Sequence, residues 1–233
     1  MSEVERIRIA YARRERDVPP GRYSYFSPGH LLWMQQLERD MLRLLRDHGL
    51  TDLARLDVLE VGCGSGEVLR RFMTYGCLPE RLKGIDIRPD AIEEARRMHP
   101  NVDVRCGDAA ELPFESEQFD LVVQVLAFSS MLDDGMRRRA SAAMARVLRS
   151  GGHILWYDLY YNNPANPDVR GTGPAEIRAL FPSFEATFRR VTLGAPVARA
   201  LAPWSRGLCG LLERIPWLRS HYLALLTKAA PEP

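Results

Sequence analysis

The stretch VLEVGCGSGEVL, residues 58–69, constrains the fold of this chain most. A short apolar run meets three glycines, Gly62, Gly64 and Gly66, and a helical pattern begins directly after them. Glycine at such a junction permits positive φ and lets the backbone approach a ligand closely. The first N–H groups of the following helix lack partners within the helix and point toward that ligand. The stretch therefore predicts a strand, a tight ligand-contacting turn and a helix.

Apolar runs and helical patterns alternate along the rest of the chain. This alternation is typical of an α/β fold built on a doubly wound parallel sheet. The predicted strands cover residues 57–62, 81–87, 101–108, 119–128, 153–161, 184–193 and 220–229. The predicted helices cover residues 30–47, 67–75, 89–98, 134–148 and 175–182.

The balance of charge and the four cysteines limit the classes of partner. The formal net charge is +2, from 32 basic and 30 acidic residues, which gives no reason to expect nucleic acid. No two cysteines form a C-x-x-C pair, so the sequence predicts neither a zinc site nor a disulfide framework. The N-terminus is charged, and no stretch approaches the length of an apolar membrane span. We therefore expect a cytoplasmic protein that is not an integral membrane protein.

Acidic residues at the ends of the first three predicted strands indicate which nucleotide is bound. Glu60 lies two residues before Gly62, and a carboxylate there disfavours a pyrophosphate and suits a cationic amine. Asp86 ends the second strand, where an acid accepts hydrogen bonds from ribose hydroxyls. Asp108 ends the third strand and could accept from an adenine amino group. S-adenosylmethionine carries an amine and a sulfonium and no phosphate, so it fits this pattern.

Five segments together resemble the class I S-adenosylmethionine-dependent methyltransferases: VLEVGCGSG, GIDI, GDAAELPF, FDLVVQVLAF and VLRSGGHIL. The resemblance runs from about residue 56 to 152 and more loosely to 228. It implies a mostly parallel seven-stranded sheet, with S-adenosylmethionine as cofactor and S-adenosylhomocysteine as product. The residues expected to bind the cofactor are Glu60, Gly62, Cys63, Gly64, Gly66, Asp86, Ile87, Asp108, Ala109 and Gln124.

The resemblance also implies where several of these residues act. Gly62 and Gly64 are expected to face the methionine part of the cofactor. Ala109 is expected to join Asp108 at the adenine, and Gln124 to reach the methionine end through its backbone.

The resemblance predicts two domain-level features. Residues 1–50 are expected to be an N-terminal helical lid segment, and residues 51–233 the cofactor-binding domain. An apolar helical insert over about residues 195–219 precedes the last strand, which runs antiparallel in this family. The insert is therefore expected at the same edge of the sheet as the glycine turn. We expect a lid or a homodimer surface there rather than a membrane contact, since it lacks a dense Lys/Arg array.

Candidates for proton transfer are few. Methyl transfer depends mainly on alignment of the reacting groups, and a hydroxyl acceptor gains from a general base. Many members of the family carry His after the fourth strand, where this chain has Phe128. His30 in the lid segment and Asp158 near the end of the fifth strand are the predicted catalytic residues. The alternatives are a packing role for His30 and a pairing or capping role for Asp158; no metal site is predicted.

These observations predict a methyltransferase that acts on a small molecule, on an oxygen of a natural product or a glycan unit. An NAD-dependent oxidoreductase is one alternative, although the chain lacks the G-x-G-x-x-G spacing that it requires. A non-catalytic S-adenosylmethionine-binding module is the other, because no general base is certain. A nucleic-acid amine target is disfavoured, since the segment after the fourth strand reads QVLAFSS.

Overall fold

A seven-stranded sheet forms the centre of the molecule, in a computed structural model that describes residues 1–164 and 166–229. The strand order is β3-β2-β1-β4-β5-β7-β6, and β7 runs antiparallel to both of its neighbours. The expected α/β fold with a mostly parallel, doubly wound sheet is therefore confirmed. The strands are β1 Val58–Val61, β2 Leu82–Asp86, β3 Asp103–Cys106, β4 Phe119–Val125, β5 Leu148–Leu159, β6 Phe184–Leu193 and β7 Arg219–Lys228.

Eight α-helices lie among the described residues. Proline occupies the first turn of four of them, α2, α4, α6 and α7, where its missing N–H is not needed. The helices are α1 Glu3–Asp17, α2 Pro28–Asp47, α3 Glu67–Thr74, α4 Pro89–Met98, α5 Asp134–Val147, α6 Pro174–Leu180, α7 Ala195–Leu201 and α8 Arg206–Glu213.

Helices cover both faces of the sheet, because successive strand side chains point to opposite sides. Leu59 and Val61 of β1 pack in the core shared with α1, α5 and α6. Val58 packs in the core shared with α2, α3 and α4. Strand β4 is buried on both faces, which explains why five of its seven residues are apolar.

The predicted insert is present and forms a small satellite core. Helices α7 and α8 lie between the end of β6 and the start of β7 and pack against Leu32 of α2. Leu159 at the end of β5 pairs with His221 near the start of β7. Since β5 is parallel to β4 and β1, the insert lies at the carboxyl edge of the sheet, as expected.

The structure differs from the predicted elements at three places. Helix α1 was not predicted as a separate element. Strand β4 ends at Val125, not at residue 128, because Leu126 has a φ of +61° and a short 3₁₀ turn, Phe128–Ser130, follows. Strand β5 begins at Leu148, directly after α5, and Gly151 with φ +76° forms a bulge in the region predicted as a loop.

Candidate active site

The glycine turn at the carboxyl edge of β1 is tightly held. The backbone N–H groups of Gly62 and Cys63 both donate to the carbonyl of Ile85, at 2.8 and 3.0 Å. Gly62 has a φ of +77°, and a Cβ placed on it would lie 2.6 Å from the Cβ of Ala127. Gly66 has a φ of +84° and caps α3. The turn therefore needs glycine at position 62, both for its conformation and for the close approach of the segment after β4.

Asp86 at the end of β2 is hydrogen-bonded on both carboxylate oxygens. Its Oδ2 accepts from the Gly64 N–H at 2.8 Å, and its Oδ1 accepts from the Arg88 N–H at 2.9 Å. The side chain thus joins the glycine turn to the start of α4. Asp86 also lines the cleft beside the turn, so its carboxylate can reach a bound ligand.

A cleft lies at the carboxyl edge of the sheet, between β1 and β4. The connections that follow these two neighbouring strands leave the sheet in opposite directions. Ligands usually bind at such a position in open α/β sheets. Its volume is about 140 Å³. The sheet side of the cleft is lined by Gly62, Ile85, Asp86, Ile87, Gly107, Ala109, Val125, Leu126, Ala127, Ser130, Met131 and Met136. The outer side is lined by Ile7, Tyr11 and Arg14 of α1.

Helix α1 spans the cleft and contacts both of its sides. The Arg8 guanidinium donates to the carbonyl of Ile87 at 2.9 Å, and the Tyr11 hydroxyl lies 3.0 Å from Ser130 Oγ. Sequence reasoning did not identify these α1 residues. The signal was present, since Val4, Ile7 and Tyr11 recur at helical spacing in an otherwise charged segment and all pack on the core.

The predicted cofactor residues divide into those at the cleft and those behind it. Of the predicted set, Gly62, Asp86, Ile87 and Ala109 line the cleft. Asp108 is adjacent, and its Oδ1 accepts from the Ala110 N–H at 2.8 Å, which holds the turn that presents Ala109.

Cys63 and Gln124 point their side chains away from the cleft. The Cys63 sulfur packs where a Cβ on Gly84 would lie, at 2.8 Å. The Gln124 side chain is buried, and its Oε1 accepts from the Ala127 N–H at 3.1 Å. Only the backbones of these two residues remain available to a ligand, and their cofactor contacts stay predictions.

Glu60 is a buried carboxylate behind the glycine turn. Its Oε2 has no hydrogen-bond partner within the described residues. Burial first, and the nearby Asp86 carboxylate second, raise the pKa of Glu60 well above its ordinary value. Glu60 is not a lining residue of the cleft, and its raised pKa favours the neutral carboxyl unless a positively charged group comes near it.

Asp158 holds the turn that follows β4 and does not line the cleft. Its Oδ2 accepts from the Ser129 N–H at 3.0 Å, and its Oδ1 accepts from the Leu159 N–H at 2.8 Å. Burial raises its pKa to about 6. Leu126, in the same turn, has positive φ, a strained conformation for a residue with a side chain.

His30 lies in the first turn of α2, among aromatic rings. Its ring centroid is 5.9 Å from Tyr23, 5.5 Å from Tyr25 and 5.5 Å from Trp33. Burial lowers its pKa. His30 is not a lining residue of the cleft, so catalytic roles for His30 and Asp158 stay predictions.

Two kinds of feature are absent from residues 1–164 and 166–229. No group of three or more His, Cys, Asp or Glu residues is arranged to hold a metal ion. None of the helices combines the length and the apolar character that crossing a bilayer demands.

Comparison with known proteins gives a family for the central segment. A family model described as a methyltransferase domain matches residues 58–152. The phthiotriol/phenolphthiotriol dimycocerosates methyltransferase of Mycobacterium tuberculosis is 37% identical over 114 residues, which cover 48% of this chain and 41% of that protein. This chain therefore spans less than half the length of that curated relative.

Solved structures share the fold. An S-adenosylmethionine-dependent methyltransferase from Mesorhizobium loti gives a TM-score of 0.61 at 17% identity and covers 82% of this chain and 95% of its own. The cyclase SpnF gives a TM-score of 0.62 at 18% identity and covers 85% of this chain and 83% of its own. A protein named for a different reaction thus has the same architecture, so the fold alone does not fix the chemistry.

The matched segment contains the glycine turn, Asp86 and the turn after β4, which together form the sheet side of the cleft. Several solved structures that share this fold are named as S-adenosylmethionine-dependent methyltransferases. Residues 58–152 are therefore similar to a methyltransferase domain and lie on the fold that those enzymes share.

Proposed function

We propose that this protein transfers a methyl group from S-adenosylmethionine to an oxygen of a small apolar molecule. One observation carries the proposal: the glycine turn, Asp86 and Ala109 meet at a single cleft, with the unpartnered carboxylate of Glu60 behind it. The cofactor supplies a methyl group on a sulfonium sulfur when bound. The protein's contribution is to bind and align the two reactants.

The chemistry of the cleft fits this cofactor. The turn has no room for a Cβ at Gly62, and a backbone without a side chain there can come close to a ligand. We propose that Gly62 and Gly64 contact its methionine part and that Glu60 attracts its amine. The Asp86 carboxylate would accept hydrogen bonds from the ribose hydroxyls.

The remaining predicted residues would complete the site. Asp108, Ala109 and Ile87 would hold the adenine, with Ala109 and Ile87 supplying apolar contact from the cleft wall. Cys63, Gly66 and Gln124 would act through the backbone and by shaping the turns.

An oxygen acceptor is favoured by the named substrate of the mycobacterial relatives. Their printed name specifies a triol, which carries three hydroxyl groups. A hydroxyl must lose a proton on methylation, so a base accelerates the reaction. We propose His30 as the group that takes this proton and Asp158 as a group that acts through the turn after β4, which it positions.

Calorimetric titration with S-adenosylmethionine tests the binding step. We expect the wild type to bind the sulfonium compound and not NAD⁺. Asp86→Ala should bind roughly 10- to 100-fold more weakly, because a charged hydrogen-bond acceptor is lost. Asp52→Ala, which removes an exposed carboxylate paired with Arg55, is the matched control and should bind as the wild type does. Undiminished binding by Asp86→Ala would contradict the ribose assignment, and NAD⁺ binding alone would contradict the proposal.

Turnover with a panel of hydroxylated apolar compounds tests the transfer step. We expect methyl ether products and a reduced rate in His30→Ala. Asp158→Asn should lower the rate while the pH profile keeps its shape, because Asp158 positions the turn without exchanging a proton with the substrate. Full activity in both variants would remove both residues from the mechanism. Cofactor binding without turnover on any acceptor would favour a non-catalytic module.

A further inference from the structure

The segment from Ala195 to Arg219 presents large apolar side chains to solvent. Trp204 is 88% exposed, Trp217 77%, Leu211 61% and Leu208 41%. Leu208 and Leu211 are three residues apart in α8 and so share one side of it, and Trp204 lies in the turn before α8. Cys209 on the opposite side of α8 is fully buried in the satellite core. We call these four exposed residues the outer apolar face.

The segment that carries the outer apolar face has unpaired positive charge. Arg199, Arg206 and Arg214 are exposed, and none of them forms an ion pair with a described residue. Glu213 is the only acidic residue in the sequence between positions 195 and 219. Its carboxylate is buried and paired with Arg39, with Oε1 2.5 Å from Nη2. The same stretch of chain therefore contains three uncompensated cations and two exposed tryptophans.

A further exposed aromatic residue lies in a segment that runs beside the insert. Phe26, in the segment before α2, is 98% exposed. A Cβ on Gly29, three residues later, would lie 3.1 Å from the Cα of Arg199, so this part of the chain runs beside α7.

We propose that the outer apolar face docks on the surface of an anionic phospholipid bilayer. The sequence alone favoured a lid or a homodimer surface, because the segment lacks a dense Lys/Arg array; the structure adds that its large apolar side chains are exposed and that its exposed arginines have no acidic partner among the described residues. Tryptophan is enriched at membrane–water interfaces, where its apolar ring and polar N–H are both accommodated. Exposed arginines add attraction to anionic headgroups. A second copy of this chain fits less well, because a two-fold interface would bring the same unpaired arginines of both copies together.

The position of the face gives the docking a direction. The insert leaves the sheet at the carboxyl edge, where the glycine turn also lies. Docking would therefore turn this edge of the sheet toward the bilayer. The docking proposal does not depend on catalysis, since it rests on residues outside the cleft.

Vesicle co-sedimentation without cofactor or substrate tests the proposal. We expect the wild type to bind vesicles of phosphatidylcholine mixed with phosphatidylglycerol much more strongly than vesicles of phosphatidylcholine alone. The double variant Trp204→Ala/Trp217→Ala and the double variant Arg206→Glu/Arg214→Glu should each lose about tenfold or more of the vesicle partition. Met98→Ala, which removes an exposed apolar side chain at the end of α4, is the control and should bind normally. Bromine-labelled acyl chains should quench wild-type tryptophan fluorescence.

Three outcomes would overturn the proposal. The first is no binding of the wild type to anionic vesicles. The second is binding that both double variants retain. The third is a dimer in sedimentation equilibrium that Trp204→Ala/Trp217→Ala abolishes, without vesicle binding, which would assign the face to a second copy. All the variants alter exposed side chains, and unchanged thermal melting would verify their folding.

Discussion

Gly62 combines two demands on its backbone, and matched variants can separate them. Its φ of +77° disfavours any side chain, and a Cβ would also clash with Ala127. Gly49 has a φ of +76° with open space around it. We expect Gly49→Ala to lower the free energy of unfolding by roughly 1 kcal/mol and Gly62→Ala by roughly 2–4 kcal/mol, because the clash adds to the strain.

Chemical denaturation of the two variants measures this difference. Calorimetry should also find that Gly62→Ala binds S-adenosylmethionine more weakly, since Ala127 lies in the cleft wall. Equal loss of stability in the two variants would mean that Ala127 moves aside without cost.

The buried carboxyl of Asp158 makes the free energy of unfolding fall as the pH rises. A paired surface carboxylate has the opposite effect. Burial raises its pKa from 3.8 to about 6 in the folded protein. Between these values the folded state binds a proton that the unfolded chain releases, so this group's contribution to stability falls as pH rises. The loss is complete above about pH 6 and amounts to roughly 3 kcal/mol.

Asp158→Asn should remove this dependence. We expect the free energy of unfolding of the wild type to fall relative to that of the variant as the pH rises from about 4 to about 7. Urea denaturation across this range measures the shift, with exposed Asp52→Asn as the control whose difference stays constant. A pH-independent difference for Asp158→Asn would show that Asp158 stays charged in the folded protein.

The positions of some candidate site residues could be predicted from the sequence, and those of others could not. Asp86 and the glycines were placed at the carboxyl edge of the sheet because their strand-end positions alone bring them there. Asp158 was also placed correctly at a strand end, but its partner is the N–H of Ser129, 29 positions away. The alternation of side chains along a strand predicts the side of the sheet on which a side chain lies. It does not predict which loop folds onto that side chain.

At the scale of single elements, α1 is held less firmly than α2. Within α1, which is described in full, only Ile7 is buried, whereas nine residues of α2 are buried. The attachment of α1 depends on exposed or half-buried polar contacts such as Tyr11 with Ser130. Elements with few buried contacts open at low free-energy cost. The cleft volume of about 140 Å³ is also smaller than the roughly 300–1,000 Å³ of ordinary ligand pockets, so we expect α1 to move when a ligand binds.

Amide hydrogen exchange tests this view of α1. We expect α1 amides to exchange much faster than those of α2 in the free protein and to become protected when S-adenosylmethionine is added. The α2 amides serve as the internal control and should change little. Equal protection of both helices in the free protein would contradict a weakly held α1.

The elements that sequence patterns predicted well are those with strong local periodicity. Helix α4 has its predicted bounds, α2 begins two residues before its predicted start and ends where predicted, and the strands β6 and β7 match their predicted runs within one residue. Helix α1 was missed because charged residues dominate its sequence. Its apolar residues are sparse since it covers a cleft rather than a core.

At the scale of the whole molecule, the strand order follows from alternation and from the resemblance together. Alternation alone predicts parallel strands, and the antiparallel β7 required knowledge of the family. The exposure of Trp204 and Trp217 could not be predicted, because an apolar stretch that forms a lid and one that faces solvent have the same composition. The structure shows that Cys209 packs into the satellite core, so the opposite side of α8 is the exposed one.

The position of α1 across the cleft has a consequence for rates. We expect a ligand to reach Gly62 and Asp86 fully only in molecules whose first helix has lifted, so that encounter succeeds in proportion to the fraction of open molecules. The apparent association rate constant should then fall below the roughly 10⁵–10⁷ M⁻¹ s⁻¹ common for accessible surfaces. At saturating ligand the observed rate of binding should level off at the rate at which this short helix opens.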